Sequence, residues 1–96
     1  MFSWDARKAR KNNTKHGVPF EEASTIFSDP DGLDWEDLEH AQAEPRWKRL
    51  GFSKEGRVLL VVYTLRRLKN GTETIRIISA RQASGKEGKA YAGSPD

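Results

Sequence analysis

The two histidines, His16 and His40, are the side chains best suited to move a proton near neutral pH. Their placement does not pair them. His16 adjoins Gly17 at the end of a basic run, a setting that suits a hydrogen-bonded helix terminus. His40 lies among acids, and His40-x-x-x-Glu44 has the spacing of a metal pair. A metal site needs at least a third protein ligand, and none is spaced to join them. The run Asp34 to Glu39 fails as a metal cup for a similar reason, since nothing rigid holds it. The chain has no cysteine, which excludes a disulfide framework and a thiolate zinc site. No metal or other cofactor is expected. Arg66 and Arg81 each follow an apolar strand, and their planar forks suit a phosphate. Their plainer roles are a solvated strand-end charge and an anchor for the last helix. Crowding by other cations disfavours a lysine's charged form, which would make Lys15 a usable base. Lys15 equally suits capping the first helix. Glu44 and Arg46 suit either a structural ion pair or a general base with its orienting partner.

Charge is unevenly spread. The chain holds 17 Lys and Arg and 14 Asp and Glu. Between Gly17 and Pro45 there is no Lys or Arg, yet nine acids fall there: Glu21, Glu22, Asp29, Asp31, Asp34, Glu36, Asp37, Glu39 and Glu44. The remainder carries 17 basic residues against 5 acidic ones (14 less those nine), behind a net charge of only +3. Such a field suggests a polyanion, nucleic acid first, for the basic part. It suggests a basic partner or self-shielding for the acidic part.

The elements that must position these groups are legible in outline. At 96 residues one domain is expected, over residues 1–92, with 93–96 a flexible tail. The start, Met1-Phe2-Ser3-Trp4-Asp5, lacks the apolar core of a secretion signal, and Val58 to Tyr63 is too short to span a bilayer, which fits a cytoplasmic protein. A helix is predicted from Asp5 to Lys15, stopped by Gly17. A second follows Pro19, with Phe20, Ala23, Ile26 and Phe27 at helical spacing and Asp29-Pro30-Asp31-Gly32 ending it. Strands are predicted over Leu33–Leu38, Arg46–Ser53, Arg57–Thr64 and Thr72–Ser79, with Asn70-Gly71 as a hairpin turn. A last helix from about Arg81 to Tyr91 is weakened by Gly85 and Gly88, each costing about 1 kcal/mol against Ala. The order α-α-β-β-β-β-α predicts an α+β domain on a four-stranded antiparallel sheet.

Several phrases together resemble one family. They are Phe2-x-Trp4-Asp5, then Asn12-x-x-Lys15-His16-Gly17-Val18-x-Phe20-Glu21-Glu22-Ala23, and Phe27-x-Asp29-Pro30. His40-x-x-x-Glu44-x-Arg46, Leu50-Gly51, Gly56-Arg57-x-Leu59 and Val61-Val62-Tyr63-Thr64-x-Arg66 follow, and Ile75-Arg76-Ile77-Ile78-Ser79-Ala80-Arg81-x-Ala83 closes the set. In this order they resemble the BrnT family of bacterial ribonuclease toxins. The resemblance implies a RelE-like fold, RNA cleavage that halts translation, and neutralisation by a BrnA-type antitoxin. That antitoxin would carry a ribbon-helix-helix DNA-binding part, so that a heterotetramer reaches operator DNA only through it. Two departures stand out: the last helix is poorer in cations than the family's, and Pro45 interrupts the Glu-x-Arg phrase.

Metal-free RNA cleavage needs a base for the 2′-hydroxyl, an acid for the leaving 5′-oxygen and cations for the charge between them. By resemblance, RelE-like toxins supply these from Lys, Arg, Tyr and Glu, which here puts Lys15, Arg66, Arg81 and Glu44 forward as catalytic. Trp4, Arg7, Lys11, Arg46, Tyr63 and Arg76 are the expected RNA contacts, Trp4 by stacking on a base. Trp4 and Tyr63 also suit the core, and Arg76 an ion pair beneath a helix. Trp35, Asp37 and Leu38, on a strand of poor alternation, form the expected antitoxin dock, an aromatic anchor ringed by carboxylates. The alternative reading of the same charge field is a nucleic-acid-binding or antitoxin-docking module without catalysis.

Overall fold

The computed structural model describes residues 1–40 and 43–93; the expected tail falls almost wholly outside them. Helix α1 spans Ala6–His16. The Asp5 carboxylate opens it by accepting a hydrogen bond from the Lys8 backbone N–H at 3.0 Å. Gly17 closes it at φ 69°, a left-handed conformation that glycine adopts without a Cβ clash. Helix α2 is shorter than its periodicity suggests, Phe20–Thr25, and tightens into a 3-10 turn at Ile26–Ser28. Ser24 and Thr25 hydroxyls donate back to the carbonyls of Glu21 and Glu22, and Pro30 disfavours helix in the residue before it.

The sheet has five strands, not four. They are β1 (Phe2–Ser3), β2 (Leu33–Glu36), β3 (Trp47–Phe52), β4 (Val58–Arg67) and β5 (Glu73–Gln82), in the spatial order β1-β5-β4-β3-β2. The four expected strands pair antiparallel in sequence order. The two-residue β1 then adds in parallel beside Ile75 and Arg76, which makes the sheet mixed. Two residues carry no alternation that a sequence reading could detect. Arg81 does not begin the last helix, because β5 runs on to Gln82 and α3 spans Gly85–Tyr91. A capping box sets that start: Ser84 accepts from the Glu87 N–H, and Glu87 accepts from the Ser84 N–H. It offsets the two glycines that follow.

Helices α1 and α2 cover one face of the sheet. Val18, Phe20, Ala23 and Ile26 meet Leu59, Val61, Ile77 and Ala80 there, with Trp4, Ala9 and Phe27 at the rim. Gly51 is required at this contact, since a Cβ would lie 2.8 Å from that of Ile26. One buried charge is built into the packing. The Glu22 carboxylate accepts from Arg57 Nε and Nη2 at 2.8 and 2.7 Å and from Ser53 Oγ at 2.8 Å.

Candidate nucleic-acid interface

The opposite face of the sheet is indented between α1 and strands β2–β3, although Leu60 and Thr64 of β4 are buried on it. Three adjoining depressions line it. One, of about 250 Å³, is bounded by Asp37, His40, Arg46, Lys48, Ser79 and Arg81. The second holds Asp5, Lys8, Glu44, Arg46, Arg66 and Arg76, and the third Lys8, Lys11, Lys15 and His16. Ile78 belongs to all three, so they form one continuous surface. Lys15, Arg66 and Arg81, from a helix end and two strands, are thereby brought to one side of the molecule.

A bulge makes this possible. Side chains alternate along a strand, so Arg76 and Arg81, five positions apart, should face opposite ways. In β5, however, Ile77 pairs with Tyr63 while Ser79 pairs with Val62, leaving Ile78 as an extra residue. The phase reverses there. Ala80 turns into the core, and Arg81 joins Arg76 on the open face. Asn12 secures the strand just beyond the bulge. Its buried amide donates to the Ala80 carbonyl at 2.8 Å and the Val18 carbonyl at 3.1 Å, and its oxygen accepts from the Ala80 N–H at 3.1 Å. The side chain pairs with β5 as a strand would, and so fixes the basic edge of α1 beside the bulge.

Both site arginines are held by carboxylates of the chain itself. Arg81 donates from both Nη atoms to Glu87 at 2.8 Å, and Arg66 Nη2 donates to Glu44 at 3.0 Å. The Arg81 guanidinium holds the Glu87 carboxyl down at about 2, and Glu87 raises Arg81 in turn. Glu44 thus pairs with Arg66 rather than with Arg46, the partner expected from the sequence. Lys8, Lys11, Lys15, Arg46, Lys48 and Arg76 make no ion pair within 4.0 Å among the described residues. Arg76, put forward as an RNA contact with an ion pair beneath a helix as its plainer role, lines the open face.

Other expected sites lie elsewhere. Trp4 packs edge-on against Phe20 at 6.0 Å, at the core rim, and is not placed to stack on a base at the open face. Tyr63 is buried on the helix side, where its hydroxyl donates to Asp34 at 2.6 Å. Burial and that carboxylate push its pKa far above the phenol range, so it belongs to the core and not to an RNA surface. Arg7 is exposed on α1. Trp35 and Leu38 are exposed, 40% and 77%, but Asp37 is buried and turned to His40, and so cannot be a rim carboxylate. His40 pairs with Asp37, not with Glu44 in a metal site. Among the described residues no group of three His, Asp or Glu side chains is disposed to hold a metal ion. Sequence reasoning missed Lys8, Lys48 and the Asp37–His40 contact. The three-residue spacing of that last pair was its only signal.

Fold and surface together define a small α+β domain that presents a basic, open sheet face. The family described as "Ribonuclease toxin, BrnT, of type II toxin-antitoxin system" matches residues 4–87, and this chain belongs to it. It is thus a ribonuclease toxin by family, and a protein antitoxin is the partner such systems imply. The fold is similar to the crystal structure of the Brucella abortus ribonuclease toxin BrnT, with a TM-score of 0.64 at 22% identity, covering 86% of this chain and 95% of that one. Among curated proteins, no sequence matches it. No helix among the described residues is long and apolar enough to cross a membrane.

Proposed function

We propose that the chain is a metal-independent endoribonuclease of the cytoplasm that halts translation by binding RNA across the open face. The observation that carries this reading is the bulge-built surface on which six cations with no ion pair among the described residues surround Arg66 and Arg81. Lys8, Lys11, Lys15 and Arg76 track the phosphate backbone, which rewards positive charge irrespective of sequence. Arg81 exchanges its carboxylate for the phosphate being cleaved and stabilises its charge, while Arg66, farther along β4, exchanges Glu44 for a neighbouring phosphate. Purified protein with a single-stranded RNA and EDTA tests the reading. Cleavage lost in Arg81→Ala supports it; RNA retention by the wild type without cleavage identifies a binding module instead.

The antitoxin side of the proposal rests on β2. This edge strand has one unpaired side and exposes Leu33 and Trp35, with Leu38 just beyond it and Glu36 and Glu39 exposed alongside. A BrnA-like antitoxin with a ribbon-helix-helix part would dock a basic, amphipathic segment there and form a heterotetramer.

A further inference from the structure

We infer that His40 is the general base of RNA cleavage and that Asp37 is its positioning residue. The inference rests on the ribonuclease reading above and adds to it the group that takes the proton.

His40 Nδ1 lies 3.0 Å from Asp37 Oδ2 and 3.2 Å from Oδ1. An ionised carboxylate only accepts hydrogen bonds, so Nδ1 carries a hydrogen, and in the neutral imidazole Nε2 is then the nitrogen with the lone pair. Asp37 is well fixed for this task. Its side chain is 6% exposed, and its backbone N–H donates to the Arg46 carbonyl at 2.8 Å. The His40 side chain is 60% exposed and borders the depression of Arg46, Lys48 and Arg81. An exposed imidazole oriented by a buried carboxylate has the arrangement of a base with its orienting partner. Asp37, Arg46, Lys48 and Arg81 line the same depression as His40, and Glu39 precedes it in the chain, so the three cations beside the ring are able to hold a phosphate. Lys15 lies in a neighbouring depression with His16 and serves as a phosphate contact.

In the step, Nε2 takes the proton of the ribose 2′-hydroxyl as O2′ bonds to phosphorus. The bond from phosphorus to O5′ breaks, its electron pair leaves on O5′, and O5′ takes a proton from the Lys48 ammonium. The products are a 2′,3′-cyclic phosphate and a 5′-hydroxyl. The proton on His40 returns to Lys48 through water, restoring both groups.

The test measures cleavage of a fluorophore–quencher oligoribonucleotide, and of messenger RNA on translating ribosomes, with end analysis of the products. His40→Ala and His40→Gln are both made, because Gln keeps a donor for the buried Asp37. Each is expected to lower kcat by roughly 10²- to 10⁴-fold while melting like the wild type. Added imidazole should restore part of the rate in His40→Ala, which a merely structural residue would not permit. Asp37→Asn should lower kcat with little change in KM. A folded His40→Gln that cleaves within threefold of wild type, or a His40→Ala deaf to imidazole, overturns the inference and leaves the ribonuclease reading standing. Wild type that cleaves neither substrate overturns that reading, and the inference with it.

Discussion

Replacing Arg57 by Met tests how the buried Glu22 carboxylate is held in the core. Glu22 is 6% exposed and accepts all its hydrogen bonds from Arg57 and Ser53. Arg57, whose Nη2 also donates to the Gly17 carbonyl at 2.8 Å, therefore ties the end of α1, α2 and the start of β4 together. Removing one partner of a buried pair typically costs about 3–5 kcal/mol. The Arg57 side chain is 30% exposed, and solvent screening reduces the expected loss to about 2–3 kcal/mol. For a domain of this size that is a fall in Tm of roughly 10–20 °C. The sign with pH follows from the cause. Hydrogen bonds from Arg57, against the opposing effect of burial, hold the Glu22 carboxyl below the usual range. The group therefore contributes stability above its unfolded pKa, and that contribution is lost as pH falls through the folded value. In Arg57→Met burial acts without the cation and raises the carboxyl. The deficit should be full at about pH 7.5 and shrink markedly by about pH 4, as Glu22 takes up a proton. Thermal melts followed by circular dichroism at both pH values read this directly. Glu22→Gln combined with Arg57→Met should recover more than half of the neutral-pH loss. A loss under about 1 kcal/mol, or one unchanged between the two pH values, would refute the argument.

Asn12→Ala removes three buried hydrogen bonds and leaves the Ala80 backbone unpaired, so a loss of about 2–3 kcal/mol is expected, with faster amide exchange at Ala80. Unchanged exchange there would show that Asn12 does not hold the bulge. Glu87→Gln should tighten RNA binding about three- to tenfold in anisotropy titrations, because Arg81 then breaks a weaker contact to reach phosphate; weaker binding would make the pair a scaffold rather than a mask. Cleavage should persist in EDTA and fall steeply as salt rises, and restoration by magnesium or zinc of a chelated, inactive sample would count against the proposal. Trp35→Ser with Leu38→Ser should weaken antitoxin binding by tenfold or more in calorimetry while leaving RNA cleavage intact. An unchanged affinity would move that interface to another surface.

The parts of this fold that sequence exposes are those with strong local causes. Gly17, Asn70-Gly71 and the apolar run of β4 each announce a stop, a turn or a buried strand. What stays hidden depends on partners distant in the chain. The parallel β1 exists because Phe2 and Ser3 find a free edge beside Ile75 and Arg76. The bulge at Ile78 is silent because Ile77, Ile78 and Ala80 are apolar whichever way the strand is phased. Reading without it would place Arg81 opposite Arg76, and ending the strand early put Arg81 on a helix. Trp4 and Tyr63 suited both core and site by residue type, and only packing against Phe20 and Phe27 decides between them.

The charge pattern can now be resolved into its two uses. Acids of the segment without Lys or Arg reach out of it: Glu22 to Arg57, Asp34 to Arg49 and Tyr63, Glu44 to Arg66, and Asp29 to Tyr91 and the Phe52 N–H. These contacts consume cations on the helix side and at the sheet margin. They leave Lys8, Lys11, Lys15, Arg46, Lys48 and Arg76 with no ion pair within 4.0 Å among the described residues, on a face where Asp5, Asp37 and Glu44 are the carboxylates beside them. Segregation in sequence is therefore not segregation into two halves of the molecule. The acidic segment folds across the sheet and neutralises selectively, so that a chain of net charge +3 still presents a concentrated positive face. At about 0.15 M salt the screening length is about 8 Å, so a phosphate backbone lying on that face responds to the adjacent cations far more than to the net charge.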